Sequence, residues 1–416
     1  MTPLFTQTFL LVFTLTLLGR LWLKLRHIRY VRERRHAVPT DFAERINLAS
    51  HQKAADYTVD RSKTAIFSLL VEAALLLALT LGGGLAALHA FWSSHLEGIA
   101  YGLAMIFSVM AISALIDLPL TLYSQFVIEA RHGFNRMTAS LFISDLLKQT
   151  LLGLLIGTPV IGAVLWLMDS MGSYWWLHVW VFWTLFNLLI LFVYPRWIAP
   201  LFNQFTPLAD AELKTRIEAL LNRCGFHAAG LFVMDGSRRS SHGNAYFTGF
   251  GNTKRIVFFD TLLARLTPPE IDAVLAHELG HFRHRHVLQR MLWLFAGSLG
   301  FLAILGQLID APWFYAGLGV PAQSTALALI LFFLVVPVFT FLLAPLSSQL
   351  SRKHEFEADA YAATHTRADD LIRALVKLYD DNAATLTPDP LHSLFHDSHP
   401  PAAQRIAHLQ RQEKFA

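Results

Sequence analysis

Residues 267–281 read TPPEIDAVLAHELGH, a helix with its own start signal. Thr267 is a good N-cap, Pro268 suits the first helical position, and Glu270 completes a capping box. The helix then carries His277-Glu278-Leu279-Gly280-His281. Positions i and i+4 lie on one helix face, so His277 and His281 can bind one zinc ion together. Glu278 projects beside that face, toward the open coordination position. There it can take a proton from the water that such a metal activates.

Working outward, the segment 196–288 is the one stretch between apolar spans long enough for a folded domain. Residues 210–223 have the pattern of an amphipathic helix, with Leu213, Ile217, Leu220 and Leu221 on one face, ended by Cys224-Gly225. Leu231 to Met234 reads as a strand. Ala245 to Phe250 and Arg255 to Phe259 read as two more, joined around Gly251-Asn252. Cys224 is the one cysteine, so a metal here must be held by His, Asp or Glu.

A catalytic zinc needs a third protein ligand. The long metzincin pattern would put Gly at 284 and His at 287, but the chain has His284 and Val287. His284 and His286 therefore read as solvated or membrane-proximal residues. The better candidate is Glu355, in SRKHEFEADAY at 351–361. On a helix, Glu355 and Asp359 share a face and Glu357 points away. Glu355 can bind zinc, and Asp359 can accept the outer N–H of a ligand histidine and fix its tautomer.

The rest of the chain is built for lipid. Of 416 residues, 54% are hydrophobic and 15% charged, against about 25% charged in an ordinary soluble domain. Seven apolar stretches approach the roughly 20 residues needed to cross a bilayer, at about 3–23, 66–91, 101–127, 149–169, 175–195, 289–309 and 325–346. The first has no basic segment ahead of it, so it reads as a retained helix rather than a signal peptide. All 34 Lys and Arg lie in 20–63, 131–148, 196–290 and 352–416. With the N-terminus outside, these blocks fall on the cytoplasmic side, as the positive-inside rule requires. The net charge of +4 gives no case for nucleic acid. Trp175, Trp176, Trp180 and Trp183 read as interface anchors. Glu72 and Asp117, being carboxylates within spans, are expected either to face the interior or a water-filled cavity, or to cap a polar contact between helices.

HELGH together with EFEAD resembles the integral-membrane, zinc-dependent CAAX prenyl proteases of type I. The blocks YSQFVIEARHGFN at 123–135, IAPLFNQFTPL at 198–208, SSHGNAYF at 240–247, RIVFFDTLL at 255–263 and SHPP at 398–401 strengthen the resemblance, which covers most of the chain. It implies an α-helical membrane protein: a seven-transmembrane-helix barrel enclosing a chamber. A cytoplasmic, gluzincin-like zinc metallopeptidase domain with a small β-sheet would close one end, and Glu72 and Asp117 would face the chamber. The division expected is 1–195 (five spans, with cytoplasmic loops 24–65 and 128–148), 196–288 (the domain carrying HELGH), 289–346 (two spans) and 347–416 (the remainder of the domain). The resemblance implies one Zn2+ per chain on His277, His281 and Glu355, with Glu278 as base and Asp359 behind a ligand. Asn244, Ala245 and Tyr246 would bind the substrate backbone along an edge strand. His399 and Arg405 would lie near the substrate and the transition-state oxygen.

The expected partners are a peptide or protein substrate, lipidated or membrane-associated, and membrane lipids, with no oligomer required. The ending soon after SHPP and the short sixth-to-seventh connection fit a bacterial inner-membrane relative. Three alternatives stand beside the leading reading: a quality-control protease without a prenyl substrate, a transporter with a structural zinc site, and an inactive scaffold.

Overall fold

The computed structural model describes residues 1–248 and 255–413. Its helices are α1 (Thr2–Glu33), α2 (Leu48–Leu79), α3 (Gly84–Ser93), α4 (Gly98–Tyr123), α5 (Ala139–Ser170), α6 (Trp175–Val193), α7 (Ala211–Arg223), α8 (Asp260–Leu263), α9 (Pro268–Arg283), α10 (His286–Leu308), α11 (Pro312–Gly317), α12 (Thr325–Thr340), α13 (Ala344–His365), α14 (Ala368–Asp381), α15 (Pro390–His396) and α16 (Ala402–Glu413). The strands are β1 (Phe205–Pro207), β2 (Gly230–Met234), β3 (Ala245–Thr248) and β4 (Arg255–Phe259).

Among the described residues, seven helical stretches are long and apolar enough to cross a membrane. The expected span 66–91 is divided. Helix α2 stops at Leu79, and α3 begins at Gly84 after a turn with Gly83 at φ +80°. Hydropathy runs straight through this point, but a Cβ on Gly82 or Gly84 would lie 2.8 Å from the Ala78 carbonyl oxygen. The glycines thus permit a tight turn where an apolar run suggested a continuous helix. The expected span 325–346 lies in one continuous helical stretch, Thr325–His365, tightened by a 3-10 turn at Phe341–Leu343. Helix α12 ends at Thr340, and α13 starts at Ala344 and runs on to His365, carrying the EFEAD stretch.

Three tryptophans of α6, expected as interface anchors, also make contacts within the protein. Trp175 is buried in the helix core, and Trp176 lies so close to Gly306 of α10 that a Cβ there would sit 2.9 Å from its ring. The Trp180 indole N–H donates to the Phe295 carbonyl at 2.8 Å. Trp176 and Trp180 thus tie α6 to α10. Glu72 and Asp117 line a cavity of about 290 Å3 together with Arg20, between α1, α2, α4 and α12.

Two large hydrophobic cores stand out. One gathers α1, α12 and neighbouring spans around Phe9, Met105, Leu165 and Leu331. The other joins three segments distant in sequence, 42–46, 208–279 and 362–409, around Phe42, Ile217, Leu220, Phe258, Leu275 and Leu371. As expected, Leu213, Ile217, Leu220 and Leu221 supply the buried face of α7. The sheet has the order β1-β2-β4-β3, with β2 and β4 parallel and both outer pairs antiparallel. Strand β1 was not foreseen, being three residues long and ending in proline. The expected turn at Gly251-Asn252, with Gly249 and Phe250, lies outside the described residues. Among the described residues, strand β3 pairs with β4 alone, Ala245 opposite Phe258 and Tyr246 opposite Val257.

Candidate metal centre

The site is built on α9 and α13. Both halves of the capping box at the start of α9 form, with the Thr267 N–H donating to Glu270 at 2.7 Å. Burial would raise the Glu270 pKa, but bonds from Lys377 and Thr267 bring it below the usual carboxylate value. Helix α9 crosses α13 closely, because Gly280 faces Ala358 without a side chain between them.

That crossing brings three ligand atoms together. His277 Nε2 and His281 Nε2 lie 3.3 Å apart. Glu355 reaches them from α13, Oε2 at 3.5 Å from His277 Nε2 and Oε1 at 3.4 Å from His281 Nε2. The arrangement suits a cation. Glu355 Oε2 is buried and makes only long ion-pair contacts, 3.5 Å to His277 and 3.6 Å to Arg405, with no close hydrogen bond, and a buried carboxylate oxygen so weakly satisfied is costly unless something compensates it. The His277 Nδ1 sits 2.9 Å from Asp359 Oδ1, so its proton belongs there and the Nε2 lone pair faces Glu355. Two imidazole nitrogens and a carboxylate are a zinc donor set.

The electrostatics follow the same geometry. Burial alone would lower the His277 pKa, but its bonds to Asp359 and Glu355 raise it to about 9 in the metal-free chain. Burial pushes the Glu278 carboxyl up, against the pull of His277 and His281. A base beside a metal gains from such a shift toward neutrality. The exposed His399 places its Nε2 3.5 Å from Glu355 Oε1.

Arg405 comes from α16 and is buried. Its Nε and Nη2 donate to Asp359 at 2.9 and 2.6 Å, and Nη1 lies 3.6 Å from Glu355 Oε2. The guanidinium thus pairs with both Asp359 and Glu355.

Comparison with known proteins agrees with this architecture. Residues 27–204 match the family described as CAAX prenyl protease N-terminal, five membrane helices, and residues 207–413 match peptidase family M48. The chain belongs to peptidase family M48. It is 39% identical to a CAAX prenyl protease 1 homolog of Arabidopsis thaliana, over 76% of this chain and 75% of that one. It is 37% identical to CAAX prenyl protease 1 of Saccharomyces cerevisiae, over 75% and 72%. The crystal structure of S. mikatae Ste24p superposes with a TM-score of 0.92 at 31% identity, covering 97% of this chain and 99% of that chain. This M48 member is thus a multi-pass membrane metalloendopeptidase.

Two of the other residues expected at the M48 site, Asn244 and His399, line one cleft. It holds about 830 Å3 and is lined by Asn244, His242, Tyr57, Arg61, Tyr379 and His399, among others. Asn244 immediately precedes β3 and is exposed. Its carbonyl accepts from the Phe259 N–H at 3.0 Å. Ala245 and Phe247 pack on the core above α9, while Tyr246 faces the other side of the sheet toward Met234. Ala245 and Tyr246 could therefore meet a peptide through their backbone.

Sequence reading missed two groups. His286, expected to be solvated or membrane-proximal, opens the membrane-length helix α10, yet it is 1% exposed and lies 2.9 Å from His281 through their Nδ1 atoms. Glu129 bridges the Tyr57 hydroxyl at 2.5 Å and His242 at 3.5 Å on the cleft wall. The blocks 123–135 and 240–247 meet there, with an isolated bridge between Asn135 and Ser240.

Proposed function

We propose that this chain is a zinc endopeptidase that cuts CAAX-type, prenylated or other membrane-associated polypeptides. The observation that carries the reading is the convergence of His277, His281 and Glu355 beside Glu278. The names of its relatives, CAAX prenyl protease 1, support the substrate class.

Zinc, when bound by His277, His281 and Glu355, supplies Lewis acidity that makes water a nucleophile near neutral pH and polarises a carbonyl. Glu278 takes the proton as the water oxygen bonds to the scissile carbonyl carbon. It then passes that proton to the departing amine nitrogen as the C–N bond breaks. Asp359 holds the His277 Nδ1 proton, and Arg405 holds Asp359. The free edge of β3, from Asn244 through Tyr246, binds the substrate as an added strand, so main-chain bonds hold an extended segment of any sequence. His399, on the cleft wall beside Glu355, faces the substrate.

The placement of basic residues supports an N-terminus outside and this site on the cytoplasmic side. It also supports the division into 1–195, 196–288, 289–346 and 347–416.

The test uses purified protein in liposomes and two peptides of one sequence ending Cys-aliphatic-aliphatic-X, one farnesylated. Cleavage of the farnesylated peptide at least tenfold faster is expected. Equal cleavage of both would remove the prenyl substrate and favour general membrane-protein degradation. Cleavage of neither, with zinc bound, would contradict the endopeptidase reading.

A further inference from the structure

We infer that His286 and Glu357 are positioning residues that hold His281 in the one tautomer able to bind the catalytic metal. The inference rests on the reading of His281 as a ligand through Nε2.

The two ligand histidines are supported differently. His277 Nδ1 meets Asp359 directly at 2.9 Å. His281 has no carboxylate on that side. Its Nδ1 lies 2.9 Å from His286 Nδ1, and His286 Nε2 lies 2.9 Å from Glu357 Oε2. A neutral imidazole has one N–H and one lone pair. If His281 offers its Nε2 lone pair to a metal, its proton is on Nδ1. His286 Nδ1 must then accept, so the His286 proton is on Nε2 and is donated to Glu357. Every proton along the chain follows from the first.

The surroundings fix this arrangement. His286 is stacked between His284 and His354, with ring planes within 14° and 10°. Arg285 takes the left-handed conformation, φ 57°, at the junction of α9 and α10, which folds His286 back toward His281. Lys353 Nζ lies 3.7 Å from Glu357 Oε1 and favours the charged acceptor. Glu357 lies two residues from Glu355 on α13, off the face that meets the metal, and the His286 ring spans the gap.

The same logic settles a second cluster. His284, His286 and Glu357 also bring ligand atoms within 4.8 Å of one another. With a metal on His281, the His286 Nε2 atom carries a proton and has no lone pair for a second ion.

The experiment measures zinc affinity of the purified full chain against a chromophoric chelator, together with the visible spectrum of the Co2+ form. His286→Phe keeps the stacked ring but removes the acceptor. Its zinc affinity is expected to fall about 10- to 100-fold, with a changed Co2+ spectrum. His286→Gln, whose amide oxygen can accept from His281, should recover most of the loss. Glu357→Leu should weaken binding more than Glu357→Gln. Wild-type affinity and spectrum in His286→Phe would overturn the inference, as would two tight zinc ions per wild-type chain. If His286→Phe does not fold, the half-exposed Glu357 decides instead: Glu357→Leu with wild-type affinity overturns the inference. A wild-type chain that binds no zinc would instead defeat the reading of the centre itself.

Discussion

Gly280 and Ala358 touch backbone to backbone: a Cβ added to Gly280 would lie 2.8 Å from Ala358 Cα and 3.1 Å from its carbonyl oxygen. The glycine inside HELGH therefore has a structural task. It sets the separation of α9 and α13, and hence the distance from His277 and His281 to Glu355.

Gly280→Ala is expected to push the helices apart. Alanine favours a helix by about 0.5–1 kcal/mol over glycine, but overpacking against immobile backbone costs about 1–3 kcal/mol. The net expectation is a lower thermal midpoint with weaker zinc binding, read by calorimetry and chelator competition. A midpoint raised by the substitution would mean that the helices are free to separate.

Removing the Arg405 guanidinium leaves Asp359 and Glu355 buried without their cation. Breaking a buried pair in this way costs about 3–5 kcal/mol. Arg405→Ala should therefore destabilise the chain by several kcal/mol in denaturant melts. Arg405→Lys should restore charge but not the paired bonds to Asp359, giving partial recovery of stability and metal affinity. Full recovery with lysine would reduce the role of Arg405 to charge alone.

How much of this was legible from sequence depended on how local each cause was. The capping box of α9, the buried face of α7 and the i, i+4 pairs of ligands are local patterns, and they appear where the residues put them. Hydropathy located the spans but could not see the break at Thr80 to Gly83, because the run stays apolar through it. The role of His286 was hidden, since it depends on a left-handed Arg285 and on rings contributed by α13. The packing of Trp176 and Trp180 of α6 against α10 was hidden in the same way. A residue whose partner comes from a distant element carries no signature in its own neighbourhood.

The pH dependence of the metal-free chain follows from His277. Its pKa is raised from 6.5 to about 9 in the folded state, so folding binds a proton more tightly there. Stability from this group is full below about 6.5 and is lost as pH rises through about 9. Zinc needs the neutral imidazole, so zinc affinity should rise over the same range. Melts of the metal-free and zinc-loaded forms between pH 6 and 10 test both trends. A metal-free midpoint that climbs with pH would contradict the sign.

Proton transfer by Glu278 is the central claim, and Glu278→Gln tests it most directly. The substitution keeps the size of the side chain and removes the base. Zinc content and peptide cleavage should be measured on the same preparation, beside wild type. The account predicts one zinc per chain in both and a loss of cleavage of about 100-fold or more in the variant. Wild-type cleavage by zinc-loaded Glu278→Gln would contradict it.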